Sequence, residues 1–246
     1  MKIVFITILS TFLLAFSCEG DKKENKSTME DELNQVIDEK VILADDYEGK
    51  LDELLTLELA AETSGYPAAE AKKQPDSEIE KKYNKISISY SWDKSNRMQT
   101  IEVMGRKIEA PKPDRVELSW VKNTTLEAFK KENHNPTEAE IKQADEAIAK
   151  KVDELNSNGK ASKQQTDDAS SIAKNAMKNF SVEEVDGVGD YAVFANTKFA
   201  GVPIRELKVF YKGLSFQINV DLSDDASVND SKAILLAKKI INQKLK

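Results

Sequence analysis

The chain has 246 residues, of which 36 are Lys or Arg and 43 are Asp or Glu, giving a net charge of −7 with one cysteine and one histidine. An acidic balance repels phosphate backbones, and no stretch clusters cations with aromatic rings, so nucleic acid is not an expected partner. One histidine and one cysteine supply no nitrogen and sulfur ligand set for zinc, while an apolar fraction of 40% still allows a real core.

Residues 1–17 have the three-part build of a secretory signal: a basic Lys2, an apolar run over 3–16, and the small Ser17. The run is interrupted by Thr7, Ser10 and Thr11 and is shorter than the ~20 apolar residues a spanning helix needs. Cys18 has no second cysteine to pair with, and an exported lone thiol calls for another explanation. The segment Leu14-Ala15-Phe16-Ser17-Cys18 resembles the lipobox of bacterial lipoproteins, in the relaxed form familiar in the Bacteroidetes group. That resemblance implies a cut after Ser17, a lipid on Cys18, and anchoring in the cell envelope, with the outer membrane as the expected site. Removing residues 1–17 takes Lys2 with it, so the mature chain would carry a net charge of −8. Residues 18–32 are polar and charged and read as a tether, with a single α+β domain expected over 33–246.

Within that domain, Leu33, Val36, Ile37 and Val41 fall at helical spacing, and a second apolar run follows from Leu51 to Leu59. Thr56 is placed to cap a helix ending at Gly65, and Pro67 to open a turn over 68–73. Ile86, Ile88, Tyr90 and Trp92 alternate with serines, which marks a strand with one buried face. A second strand is expected over 98–104, then a loop through Pro111 and Pro113, then a third strand with Val116, Leu118 and Trp120 on one face. Thr124 with Glu127 reads as a capping box for a helix over 125–131. A second box, Thr137 with Glu140, opens a heavily charged helical insertion over 136–157 with a narrow apolar stripe. A further helix is expected around 172–177.

The second half reads as strand from Val182, a Gly187-Val188-Gly189-Asp190 turn, strands over 191–195, 206–211 and 215–222, and a closing amphipathic helix over 229–245. The two halves, about 51–131 and 171–246, share an order of helix, strands, helix and suggest a pseudo-repeat. The expected fold is α+β, an antiparallel sheet with helices packed on it. The phrase Gly187-Val188-Gly189-Asp190-Tyr191-Ala192-Val193-Phe194, with Leu207-Lys208-Val209, Gly213 and the Tyr90-Ser91-Trp92 segment, resembles small bacterial lipoproteins. The resemblance implies the α+β sandwich of PsbP-type photosystem proteins and no reaction.

Candidates for chemistry are few. Gly187 to Ala192 fits the written form of a dinucleotide loop, but a helix must follow to hold the pyrophosphate, and the following residues are β-prone, so a tight turn is the better reading and no cofactor is expected. His134 sits in a polar connection and reads as a solvated loop residue. Asp221, Ser223 and Asp225 alternate like the start of a calcium loop, but the sixth place is Ala226 and the twelfth Lys232, and acids ahead of a helix are explained by its positive end; no metal is expected. Tyr90, Trp92 and Trp120 offer a ligand face as the alternative to core packing, which the alternation favours. Paired carboxylates for hydrolysis stay open, because 43 acids always offer pairs. The expectation is a non-enzymatic, membrane-anchored envelope lipoprotein with a binding or envelope-assembly role toward a partner or ligand, an envelope protein among the possible partners, with a small-molecule or carbohydrate carrier and a carboxylate hydrolase as the alternatives.

Overall fold

A computed structural model of the chain describes residues 42–74, 86–103, 106–157, 180–199 and 202–245, with a few isolated positions between 164 and 171. The signal, Cys18, the tether and the expected helix around 172–177 lie outside the described residues, as do residues 33–41. The chain enters through a 3₁₀ turn, Ala44–Tyr47. The Leu-rich run that follows is two short helices, α1 (Leu51–Leu54) and α2 (Leu57–Ser64). Thr56 caps α2, its side chain accepting from the Leu59 N–H, and Gly65 closes it at φ 81°, in the left-handed region where only glycine is unstrained.

Pro67 opens a 3₁₀ turn over Ala68–Glu70, but the expected turn stops short: β1 (Lys72–Gln74) follows and pairs with β2 (Ser87–Trp92). The next two strands, β3 (Met98–Val103) and β4 (Arg106–Pro111), form a separate two-stranded ribbon in which Met98 stands opposite Pro111 and Ile101 opposite Ile108. The stretch leading into Pro111, expected as loop, is therefore a strand, and it was hidden because a ribbon outside the main sheet has no core face to impose a clean alternation. β5 (Asp114–Asn123) returns to the main sheet and leads into α3 (Leu126–Glu132). The cap of α3 is Thr125, which accepts from Ala128 N–H; the Thr124 box expected from the sequence is one residue out of register.

The charged helix α4 (Glu138–Ser157) opens on the expected Thr137 and Glu140 exchange, with Glu140 N–H donating to Thr137 Oγ1 and Glu140 Oε2 accepting from Thr137 N–H. Four strands follow, β6 (Ser181–Glu184), β7 (Tyr191–Phe199), β8 (Val202–Tyr211) and β9 (Leu214–Asp221), and then the closing helix α5 (Ala226–Lys244). The contacts group the chain into two compact units, one drawn from Lys40–His134, Val182–Asn196 and Gly201–Lys246, and another that includes α4 within Asn135–Ser181.

The fold is α+β. Among the described residues the main sheet has seven antiparallel strands in the order β1-β2-β5-β9-β8-β7-β6. The first half contributes β1, β2 and, after the β3–β4 ribbon, β5, and the second half β6 to β9; the last strand of each lies at the sheet's middle, β5 beside β9, and each of those strands runs into a helix. This gives the suspected pseudo-repeat a topological form. One sheet face is apolar: Ile88, Tyr90, Trp92, Val116, Leu118, Leu207, Val209, Phe216 and Ile218 are buried against Leu54, Leu55 and Leu59 near the start and Leu236, Ala237 and Ile240 of α5. On the opposite face Phe129 of α3 packs at 6.1 Å from Tyr191 and 5.8 Å from Phe210, ring centre to ring centre.

The Gly187 to Asp190 segment is the turn between β6 and β7, and a strand follows it, as a tight turn requires and a dinucleotide loop does not. Gly189 has φ 61°, and a Cβ there would stand 2.5 Å from Phe210 O, so the backbone approaches β8 more closely than any side chain permits. Asp190 completes the turn by accepting from Lys212 N–H and donating its own N–H to Phe210 O.

Candidate functional site

The sheet has two chemically distinct ends, because β5 and its neighbours run antiparallel and each end gathers different loops. At one end stand Trp92, Asp114 and Asp221, the finishing or starting residues of β2, β5 and β9, together with the root of the β3–β4 ribbon. Arg97 sits at that root with only 9% of its side chain exposed. Its Nη2 donates to Asp114 Oδ1 at 2.7 Å and to Asp221 O at 2.8 Å; Nη1 donates to Asp221 Oδ1 at 2.7 Å, and Nε to Asp114 Oδ1 at 3.1 Å. Ser95 Oγ donates to the same Asp114 oxygen at 2.8 Å, and Lys112 Nζ lies 3.0 Å from Asp221 Oδ1. Lys112 N–H also donates to Arg97 O, so the two legs of the ribbon are tied at the base.

Asp114 is completely buried. Burial alone would raise its carboxyl pKa, but hydrogen bonds from Ser95 and Arg97, the nearby Tyr66 hydroxyl and the guanidinium charge together hold it below the ordinary value. Arg97 shows the mirror image, with burial pulling its pKa down and the two carboxylates carrying it above its usual value. A general acid for glycoside or ester hydrolysis needs a raised carboxyl pKa. Asp114 is instead held in the ionised state by the adjacent guanidinium, which suits a clamp.

The ribbon that this clamp carries is exposed along β4, with Ile108 and Met98 both largely open to solvent. A two-stranded ribbon standing alone is marginal in water, so its order depends on the buried root.

The other end of the sheet holds Ile86, the finish of β5, the Lys212-Gly213 turn and the residues through which the chain enters the fold. The alternation that placed Trp120 with Val116 and Leu118 on the core face fails here. Ser119 pairs with Gln217 and Lys122 with Ser215, so two residues, Trp120 and Val121, stand across from Phe216 in a β-bulge. Val121 takes the place against the core, and Trp120 is turned outward with 48% of its surface exposed. Its φ is 53°, in the left-handed region, where a bulky L-residue is strained. The bulge is anchored by a hydrogen bond from Trp120 N–H to Ile86 O at 2.9 Å, and Ile86, expected on the buried face, is itself exposed.

Asn123 fixes the entry of the chain at this end. Its Oδ1 accepts from Ala44 N–H at 2.9 Å, and its Nδ2 donates to Ile42 O at 2.8 Å and Gly213 O at 3.2 Å. Leu43, held between those bonds, is another exposed large apolar residue.

The remaining sequence candidates fall elsewhere. Tyr90 and Trp92 are in the core, Trp92 with no exposed surface, its Nε1–H donating to Pro67 O at 3.0 Å and its ring 5.9 Å from Tyr66. Burial raises the Tyr90 phenol to a pKa of about 12. These two rings are separated from Trp120 rather than joined with it in one ligand face. His134 Nδ1 lies 2.6 Å from Lys131 O in the connection after α3. Of the calcium-like trio, Asp221 is in the Arg97 clamp, Ser223 Oγ accepts from Asp225 N–H, and Asp225 caps α5 by accepting from Ser227 N–H at 2.9 Å. Among the described residues no three His, Cys, Asp or Glu side chains gather as a metal site, and no helix is long and apolar enough to cross a membrane. Sequence reasoning missed Arg97 as the hub, for it lies in a turn-rich stretch and its acid partners are 17 and 124 residues away.

No family model, no curated protein and no solved structure matches the chain.

Proposed function

We propose that this protein is a lipid-anchored component of the bacterial cell envelope that binds a protein partner through the β3–β4 ribbon and performs no reaction. The observation that carries the binding half is the ribbon itself, exposed along β4 and rooted on Arg97, which is bonded to the buried Asp114 and the half-buried Asp221. Burying charge is costly, and the best-attested use of a buried ion pair is to fix one geometry over others. A strand edge presented at a fixed geometry is a natural acceptor for a partner's strand or loop, through main-chain hydrogen bonds and alternate side-chain contacts. The lipid anchor rests on the signal-like residues 1–17 and on Cys18 as the chain's one cysteine.

Support for binding over the carrier reading comes from Tyr90 and Trp92, which spend their rings on the core. Support over the hydrolase reading comes from the depressed Asp114 carboxyl, the opposite of a general acid.

A photo-crosslinking side chain at Ile108 in the lipidated chain, with one at Val228 on α5 as the exposed control, tests the reading in native membranes. The expected result is an adduct with one envelope protein at Ile108 only, competed away by excess unlabelled chain. Equal, non-competed adducts at both positions would sink it.

A further inference from the structure

Trp120 costs the fold something and is given little burial in return. It occupies the left-handed position of a bulge that glycine ordinarily fills, and about half of the residue's surface is in water. A residue kept under those terms is explained by what it meets outside the fold.

What it meets is indicated by the chain's own entry point. Ile42 and Ala44 are bonded to Asn123, three residues beyond Trp120 on the same strand. Between Cys18 and this point lie 24 residues, counted from Cys18 to Val41. At most ~3.5 Å per residue, they reach no more than about 85 Å, so a lipid on Cys18 keeps this end of the sheet within a short search of the bilayer. The ribbon leaves the opposite end of β5, a ten-residue strand and hence about 30 Å away.

We propose that the bulge end of the sheet, led by the Trp120 ring with Leu43 and Ile86, rests in the interfacial layer of the same bilayer that holds the lipid on Cys18. The inference rests on the lipid-anchor reading given above. Tryptophan suits that layer, since its flat apolar body enters the acyl boundary while its indole N–H stays among headgroups. Lys122 at the end of β5 and Lys212 in the adjoining turn stand at this end and suit anionic headgroups, although Glu132 offsets part of the Lys122 charge. The lipid supplies attachment and the Trp120 end supplies orientation, which leaves the ribbon pointing away from the membrane toward a partner.

The test is tryptophan emission of the purified lipidated chain in vesicles of phosphatidylethanolamine and phosphatidylglycerol with brominated acyl chains. A Trp120→Phe chain, which keeps only the core Trp92, sets the background. Bromine is expected to cut the Trp120 share of the emission about twofold or more, with a shift to shorter wavelength. Mass spectrometry of the Cys18 peptide from the same sample separates the two readings. Lipid on Cys18 with Trp120 unquenched by bromine overturns the orientation alone, whether iodide reaches the ring or a protein surface covers it. A Cys18 without lipid overturns the anchor and the orientation together.

Discussion

The strain at Trp120 makes a prediction whose sign is unusual. At an ordinary strand position, alanine is more stabilising than glycine by roughly 0.5–1 kcal/mol, because glycine loses more conformational freedom on folding. At φ 53° the order should reverse. A side chain with a Cβ in the left-handed region costs roughly 1–2 kcal/mol, and glycine there costs nothing sterically. Subtracting the entropic penalty leaves Trp120→Gly more stable than Trp120→Ala by about 0–1.5 kcal/mol, roughly 0.75 kcal/mol at mid-range. Both variants remove the same indole, so the burial it contributes cancels between them. Each keeps Trp92 as the only tryptophan, a fully buried reporter.

Urea denaturation followed by Trp92 emission reads the difference directly. With a slope near 2 kcal/mol per molar urea, the midpoints should lie about 0.4 M apart at mid-range and no more than about 0.7 M, glycine higher. Unchanged slopes would show that the comparison concerns stability and not a shift in the unfolded ensemble. Alanine above glycine by the roughly 0.5–1 kcal/mol of an ordinary strand position would refute the left-handed bulge, and with it the strain behind the membrane-facing role of Trp120.

Other expectations follow from the same geometry. Arg97→Met leaves the buried Asp114 without its cation, while Asp221 keeps Lys112, and should cost about 3–5 kcal/mol at pH 7, read by chemical denaturation. The Asp114 pKa is depressed in the fold, so its stabilisation is whole above the unfolded carboxyl value and lost as pH falls through the folded one; the Arg97→Met deficit should therefore narrow below about pH 4. Gly189→Ala should be far more damaging than Gly187→Ala, with roughly 2–4 kcal/mol against about 1, because the first drives a Cβ into Phe210 O while the second meets only the Lys238 Nζ at 3.9 Å. Thr125→Ala should lower the melting point in line with a lost cap of about 1 kcal/mol, and Thr124→Ala should leave it nearly unchanged. Burial raises the Glu206 carboxyl pKa, so its charge is unfavourable in the fold at neutral pH; Glu206→Gln should stabilise at pH 7 and lose that gain in acid, where both states bind the proton.

Much of the sheet was legible because burial on one face imposes a period of two. Ile88, Tyr90, Trp92, Val116, Leu118, Phe216, Ile218 and Val220 could be assigned to the core from spacing alone, and they are buried there. Caps at Thr56 and Thr137 were equally legible, since the hydroxyl and its N–H partner are three residues apart in sequence. The same rule misplaced Trp120, since a bulge inserts one residue and leaves no mark in a Val-Glu-Leu-Ser-Trp-Val series; the only hint is that two apolar residues, Trp120 and Val121, are adjacent where the pattern allows one. β1 was unreadable for a different reason. Lys72, Lys73 and Gln74 have a poor intrinsic preference for strand and pair only because β2 offers an edge, with Lys73 held by Asp52 at 2.7 Å.

The clamp and the bulge were hidden by opposite properties of the chain. Arg97 needs three-dimensional closure to meet Asp221, so no local pattern can announce it, whereas Trp120 is a local irregularity that a periodic reading smooths over. Both are places where the fold departs from its cheapest solution, one by burying charge and the other by straining a backbone, and each stands at one end of β5. Departures of that kind concentrate where a protein acts on something outside itself. In the proposed arrangement, their separation along one strand would let a single small sheet address a membrane at one end and a partner at the other. The two ends are coupled through β5 by geometry alone, so loosening the ribbon with Arg97→Met should leave Trp120 quenching by brominated lipid intact, provided the variant remains folded by Trp92 emission.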